Sequence, residues 1–172
     1  MTLPPRRTLL RRAAGAMAVT VLVAGTLGYV QAHWRLAIDR SQYPCLDPHR
    51  VFLVTLGQAE PLPGTFVTFA TKAVPLFEDG TLFTKQVVAG PGSTVHVGPD
   101  GVEVGGQSLP YSEYALDRLA KRAAGAVDLR PREYLIPKGH VFVAGTHPRS
   151  YDSRYYGPVP LAGMLGEATP LW

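Results

Sequence analysis

The feature that most restricts the fold is a continuous, mostly apolar segment near the N-terminus, Ala13–Ala32. About twenty such residues are enough for a helix to cross the hydrocarbon core of a bilayer. Four arginines precede the segment: Arg6, Arg7, Arg11 and Arg12. The positive-inside rule therefore keeps the N-terminus in the cytoplasm and exports the rest of the chain. We predict a short cytoplasmic basic tail over residues 1–12, a transmembrane signal anchor over 13–33 and an extracytoplasmic domain over 34–172.

A cleaved signal peptide is the competing interpretation of the same segment. Val30–Ala32 (VQA) resembles the small-residue site at which signal peptides are cut. The apolar run is long for the core of a signal peptide, however, and Trp34 with Arg35 forms a natural collar at the membrane interface. We therefore favour an uncleaved anchor.

Composition excludes several classes of protein. Most of the net charge of +4 comes from arginines around the apolar segment, and no basic stripe is interleaved with aromatic residues. Nucleic-acid binding is therefore not expected. The single cysteine, Cys45, excludes an internal disulfide and a multi-cysteine metal site, and the five histidines lack ligand spacing. We expect no metal and no cofactor.

Turn residues dominate the remainder, with 18 glycines and 16 prolines in 172 residues. This favours short strands over long helices. The segments with strand patterning are Val51–Val54, Gly64–Ala70, Leu82–Ala89, Thr94–Val97, Val102–Val104, Tyr134–Pro137 and His140–Ala144. Outside the anchor, only residues 111–126 have helical patterning. The predicted fold is mostly β, with a small helical insert at 111–126 and one N-terminal transmembrane helix.

One lysine, Lys85, lies in the middle of the apolar strand Leu82–Ala89, which a Gly-Pro-Gly turn then ends. A lone strand lysine usually faces solvent. Held among apolar neighbours, it loses hydration and can serve as a general base. That interpretation requires a nucleophile and a group that holds the lysine in place.

Two nucleophiles, Ser41 and Cys45, lie in an irregular loop after the anchor. Taken alone, Ser41 is an ordinary turn residue and Cys45 a small buried residue. A polar cluster follows the strand His140–Ala144 and places Asp152 close to Arg154. Such a pair can pin a loop beside a site.

Three segments together resemble type I signal peptidases, the serine–lysine peptidases of the S26 family. Ser41–Leu46 (SQYPCL) resembles the family's S-M-x-P-T-L box, and Thr84–Gly92 (TKQVVAGPG) its lysine box. Gly145–Gly157 (GTHPRSYDSRYYG) resembles the G-D-N-R-x-x-S-x-D-S-R-x-x-G box, one residue shorter. The boxes occur in the family's order. The short tail, single anchor and small size resemble most the TraF-type peptidases of conjugative transfer systems.

The resemblance implies a signal-peptidase-like antiparallel β fold and a catalytic dyad of Ser41 as nucleophile and Lys85 as neutral general base. Ser150 corresponds to the serine that orients the lysine, and Asp152 with Arg154 to a structural ion pair. The backbone N–H of Ser41 is implied to hold the oxyanion. Asp39 stands where many relatives carry a hydroxyl donor for that oxyanion.

The implied function is a bacterial, single-pass inner-membrane endopeptidase with its catalytic domain in the periplasm. Its partners are then the lipid bilayer and exported precursors with cleavable signal peptides, such as pilin subunits. Three alternatives remain open. Cys45 can replace Ser41 as nucleophile, because Cys45–Pro48 also fits an S-x-P pattern with one extra residue. The chain can be a degenerate, structural component of a secretion or conjugation apparatus, or a peptidase that cyclises pilin.

Overall fold

The computed structural model of the chain describes residues 6–57 and 61–172, and it divides into two units at Trp34. The first unit contains helix α1 (Arg6–His33). Within the described residues, Leu10–His33 is the one helical stretch long and apolar enough to cross a membrane, with a mean hydropathy of 1.7 over its most apolar part. This helix is consistent with a membrane anchor; its orientation and its retention after export remain predictions.

The second unit, Arg35–Trp172, is mostly β. Its strands, the first of which begins at the boundary residue, are β1 (Trp34–Ile38), β2 (Val51–Leu56), β3 (Phe66–Ala70), β4 (Leu82–Ala89), β5 (Thr94–Val97), β6 (Gly101–Val104), β7 (Gln107–Pro110), β8 (Arg132–Leu135), β9 (His140–Ala144), β10 (Val159–Pro160) and β11 (Met164–Pro170). Its helices are α2 (Glu113–Arg122), α3 (Ser153–Tyr156) and a 3-10 turn at Leu161–Gly163.

The strands form two sheets. A seven-stranded sheet has the order β1-β2-β11-β3-β4-β9-β10, and a four-stranded sheet has the order β7-β6-β5-β8. Every strand pair with a described register is antiparallel. The prediction of a mostly β, antiparallel fold is therefore confirmed. Each of the seven predicted strands has a counterpart in the structure, and α2 lies inside the range predicted to be helical.

Sequence patterning missed β1, β7, β10 and β11. The last of these lies in the middle of the large sheet, between β2 and β3. Its sequence, MLGEATP, contains few β-branched or aromatic residues, so local propensity gives little indication of a strand. A side chain at Gly166 would collide with the backbone carbonyl of Thr55 on β2. Glycine at this position is what lets the two backbones approach.

The core lies where these layers meet. Valines of β4, β5 and β6 pack with Ile136 and with Phe142 of β9 in one buried cluster. A second cluster joins β3, β4 and β9 around Val67 and Val143. Helix α2 packs Ala115 and Leu119 against an aromatic group that includes Tyr151. Strand β4 is thus held from several sides, and it presents Lys85 from a rigid position.

Candidate active site

Lys85 is a core residue in this structure. It lies opposite Val67 in the β3–β4 register, and only 2% of the residue is exposed. Its Nζ donates a hydrogen bond of 2.9 Å to Ser150 Oγ and lies 5.4 Å from the centroid of the Phe83 ring. The amine is therefore shielded from bulk water and fixed in position by one hydroxyl.

Ser150 is held in turn by a buried ion pair between Asp152 and Arg154. Arg154 Nε and Nη2 donate to the two Asp152 carboxylate oxygens at 2.8 Å each, and Nη2 also donates to the Ser150 carbonyl at 3.2 Å. Arg154 Nη1 donates to the carbonyl of Pro110 at the end of β7. Two parallel charge-assisted bonds fix the plane of a guanidinium, and this pair therefore fixes the loop that carries Ser150.

The local sequence explains why the pair forms. Asp152 caps α3 by accepting a hydrogen bond from the Arg154 backbone N–H, and it also accepts one from the N–H of Gly145, which directly follows β9. Burial lowers the pKa of Arg154, but the hydrogen bonds and charge of Asp152 outweigh burial, so the pKa is raised and the guanidinium stays charged.

The loop between β1 and β2 carries both nucleophile candidates and is organised by Asp39. The Asp39 Oδ1 accepts from the backbone N–H of Ser41 at 2.9 Å, and Oδ2 accepts from that of Cys45 at 3.0 Å. Burial raises the pKa of Asp39, but hydrogen bonds from Ser41 and Cys45 and the charge of Lys85 together hold it below its ordinary value. The Asp39 carboxylate therefore fixes the backbone of both nucleophile candidates.

Ser41 itself is exposed, and its Oγ donates to the carbonyl of Tyr43 at 2.8 Å. Arg50 Nη1 donates to the Ser41 carbonyl at 2.9 Å. In the described part of the chain, no hydrogen bond joins Lys85 Nζ to Ser41 Oγ or to the thiol of Cys45. The structure thus brings Lys85 together with Ser150, and Asp152 with Arg154, while Ser41 is bonded within its own loop.

Cys45 is half-buried, and its backbone contacts the loop between β9 and α3. Its carbonyl accepts from the N–H of His147 at 3.2 Å. At Gly145, an added Cβ would lie 2.5 Å from the Cys45 carbonyl oxygen and would collide with Ser150 Oγ. Glycine therefore permits the close approach of the nucleophile loop to the loop that holds the lysine.

Two contacts of this site escaped the sequence analysis. The first is the acceptor role of Asp39, which the spacing Asp39-x-Ser41 can indicate, because an aspartate commonly accepts from the N–H two residues on. The second is a stack on Arg149, whose guanidinium carbon lies 4.2 Å from the centroid of the Tyr43 ring and 5.0 Å from that of Tyr114. It joins the nucleophile loop to α2 and has no local sequence indication.

Several known proteins are similar in sequence to this chain. The family model for signal peptidase, peptidase S26, matches residues 10–172. The conjugal transfer protein TraF of Agrobacterium tumefaciens (strain 15955) is 36% identical over 88 residues, which cover 51% of this chain and 47% of that protein. A probable conjugal transfer protein TraF of Sinorhizobium fredii is 39% identical over 88 residues, or 49% of this chain and 42% of that protein. The chain thus spans about half the length of the curated relatives it matches.

Signal peptidase I of Haemophilus influenzae is 42% identical over 45 residues, which cover 26% of this chain and 13% of that enzyme. Among solved structures, a signal peptidase I from Enterococcus faecalis V583 is 27% identical with a TM-score of 0.38, over 66% of this chain and 100% of that one.

Proposed function

Because the chain belongs to the signal peptidase family, peptidase S26, we propose that it is a membrane-anchored serine endopeptidase that cleaves exported precursor proteins with a Ser/Lys dyad. Ser41 is the nucleophile and Lys85 the general base. Ser150 orients the lysine, and the pair of Asp152 and Arg154 supports Ser150.

The observation that carries the proposal is the buried Lys85 amine, fixed by one hydroxyl beside the nucleophile loop. A general base must be positioned within hydrogen-bond reach of the proton that it removes, directly or through one water. Free enzymes often show longer catalytic contacts than their substrate complexes do. The internal bond from Ser41 Oγ to the Tyr43 carbonyl is therefore one that substrate binding must exchange for a bond to Lys85.

The proposed reaction is an acyl transfer in two steps. Lys85 takes the hydroxyl proton as Ser41 Oγ attacks the scissile carbonyl carbon, and it then gives that proton to the leaving amine. The C–N bond breaks and an acyl ester on Ser41 remains. Lys85 then takes a proton from a water molecule, which attacks the ester; as the ester C–O bond breaks, Lys85 returns the proton to Ser41 Oγ and the new carboxyl terminus is released. The cycle needs no metal or cofactor.

The substrate is proposed to bind as an added strand beside β4. In the described residues, Leu82–Lys85 have register partners only on β3, whereas Gln86, Val87 and Ala89 have register partners on β9. The unpaired side of β4 thus leads directly to Lys85. Because two relatives are named conjugal transfer proteins, we place the substrates among precursors of a conjugation or secretion apparatus, such as pilin subunits. On this proposal, α1 crosses the bacterial inner membrane and the β unit lies in the periplasm.

A peptide assay tests the activity. The full-length chain in detergent should cleave a fluorogenic precursor peptide with small residues before the cut. Lys85→Ala should lower kcat by about 10²- to 10⁴-fold, the usual contribution of a general base. Lys138→Ala, at an exposed lysine, is the matched control and should cleave normally. If Lys85→Ala cleaves as fast as the wild type, the dyad is wrong.

A second assay identifies the nucleophile. Ser41→Ala and Cys45→Ala should be compared with the same peptide, and mass spectrometry of stalled reactions should locate the acyl group. We expect the acyl group on Ser41 and only a modest loss for Cys45→Ala. An acyl group on Cys45 would instead assign the alternative Cys45/Lys85 dyad. The hydrogen bond from the His147 N–H to the Cys45 carbonyl already places Cys45 beside the loop between β9 and α3.

One observation favours a second function, that of a structural component of the same apparatus: Ser41 Oγ bonds its own loop rather than Lys85. On this alternative, no variant turns over peptide and Lys85→Ala leaves assembly unchanged. The mass of the product distinguishes a peptidase that cyclises pilin from one that hydrolyses it, since the cyclic product is lighter by one water molecule.

A further inference from the structure

The Asp39 carboxylate binds two backbone amides of the nucleophile loop at once. Its Oδ1 lies 2.9 Å from the nitrogen of Ser41, and its Oδ2 lies 3.0 Å from the nitrogen of Cys45. These are the backbone amides of the two candidate nucleophiles. Whichever residue attacks, its own N–H already has a negatively charged acceptor in the free protein.

Acyl transfer needs that N–H for another purpose. The carbonyl oxygen of the substrate becomes an oxyanion in the transition state, and preorganised N–H groups at 2.7–3.1 Å stabilise it. The distances from the Asp39 oxygens to the two nitrogens lie within this range. A carboxylate oxygen resembles the oxyanion in charge and in hydrogen bonding, so Asp39 and the reacting carbonyl compete for the same donor.

We propose that Asp39 is an internal occupant of the oxyanion site, and that it acts as a brake on the peptidase because it must withdraw before the transition state forms. This inference rests on the proposed function.

A purely structural role for Asp39 predicts the opposite effect of mutation. The bond from the Ser41 N–H to Oδ1 alone is a common local turn, and a carboxylate that only shaped the loop would be needed for activity. The second bond spans six residues and reaches Cys45. Burial raises the pKa of Asp39, but the hydrogen bonds from Ser41 and Cys45 outweigh burial, so the pKa is lowered and the carboxylate form is favoured. In the empty site, Asp39 is therefore ionised and occupies both backbone amides.

Two substitutions of Asp39 separate these roles. Asp39→Asn keeps a turn acceptor for the Ser41 N–H but removes the charge and the second acceptor. Asp39→Ser removes the carboxylate and supplies a hydroxyl that can donate to the oxyanion. We expect both variants to raise kcat about tenfold or more with little change in KM, because oxyanion stabilisation acts in the transition state. Asp100→Ser, at an exposed turn aspartate, is the matched control and should leave kcat unchanged.

Inhibitor binding provides a measurement that loop shape alone would not move. A peptide aldehyde forms a tetrahedral adduct with an oxyanion, whereas the matching peptide alcohol forms none. The affinity for the aldehyde should rise in both Asp39 variants by about the same factor as kcat, while the affinity for the alcohol stays constant. Thermal unfolding of each variant shows that the compared proteins are folded.

The outcomes separate this inference from the proposed function. Higher kcat together with selective gain for the aldehyde supports the brake. Lower kcat in the folded variants, or parallel changes in the affinities for aldehyde and alcohol, overturns the brake. In that case the peptidase assignment is still decided by the Lys85→Ala assay. Absence of both turnover and aldehyde capture in the wild type and in all variants overturns the peptidase function and the brake with it.

Discussion

Ser150 is the single side chain that holds the Lys85 amine, because its Oγ is the hydrogen-bond partner of Nζ among the described residues. Its own backbone is fixed through Arg154. The hydroxyl is therefore proposed to position the base rather than to touch the substrate. Its loss should affect the chemical step more than binding.

Replacing Ser150 by alanine should lower kcat about 10- to 100-fold with KM nearly constant, since a mispositioned base loses part of its 10²- to 10⁴-fold effect. Ser150→Thr keeps the hydroxyl and should recover part of the rate. Ser108→Ala, at an exposed serine of β7, is the control in the same peptide assay. Wild-type kcat in Ser150→Ala would show that the lysine is held by other contacts.

Gly145 is the second residue on which the site geometry depends. A methyl group there would collide with Ser150 Oγ and approach the Cys45 carbonyl oxygen. Gly145→Ala should therefore reduce the free energy of unfolding by about 1–3 kcal/mol, the usual cost of overpacking, and should lower kcat as well. Gly90→Ala is a matched control, because no atom lies within 4 Å of its added Cβ. Urea unfolding of the two variants gives the comparison, and equal stabilities would refute the close approach.

At the scale of elements, an aromatic cluster connects α2 and α3 to the site. Tyr151 stacks on Tyr155 with ring centroids 5.2 Å apart, and both pack against the buried face of α2. Burial, reinforced by Tyr155, raises the pKa of Tyr151 to about 12. The folded protein thus prefers the neutral hydroxyl more strongly than the unfolded chain does.

This preference gives the stability of the cluster a definite pH dependence. The unfolded tyrosine loses its proton near pH 10, whereas Tyr151 in the folded protein keeps its proton to about pH 12. Between these values the unfolded state binds fewer protons. The contribution of Tyr151 to the free energy of unfolding is therefore fully present below about pH 10 and is lost as the pH rises toward 12. The urea midpoint of the wild type should fall from pH 9 to 12, and the midpoint of Tyr151→Phe should fall less. Tyr114→Phe, at an exposed tyrosine, should follow the wild type.

The same scale separates what sequence could predict from what it could not. Strand β4 follows from its own residues, since an apolar β-branched run ends at a glycine-proline turn. The burial of Lys85 does not, because it depends on Ser150, which lies 65 residues away. Strand β11 depends on a close backbone approach at Gly166, and Asp39 binds an amide six residues on. Local patterns therefore located α2 and the strands with clear apolar patterning, and non-local contacts decided which side chains meet.

At the scale of the whole molecule, the proposed function requires the β unit to face the exported precursor. The orientation depends on charge at the two ends of the apolar helix, because basic residues near a membrane span are retained in the cytoplasm. Four arginines precede the apolar segment, whereas Arg35 is the basic residue that directly follows Trp34. The imbalance favours a cytoplasmic N-terminus.

Replacing Arg6, Arg7, Arg11 and Arg12 together by glutamate should reverse or abolish this orientation. The test uses a Cys45→Ser, Asp100→Cys background, in which the one remaining thiol lies on an exposed turn of the β unit. In intact spheroplasts, a membrane-impermeant maleimide should label this thiol when the arginines are present and should label it much less when they are replaced. A matched set of glutamate substitutions at Lys72, Lys121, Arg130 and Lys138 makes the same change in charge within the β unit and should leave labelling intact, because these residues do not flank the span. Equal labelling of both charge variants would mean that the arginines do not set the orientation. Labelling only after lysis in every protein would place the β unit on the cytoplasmic side, where it could not meet an exported precursor.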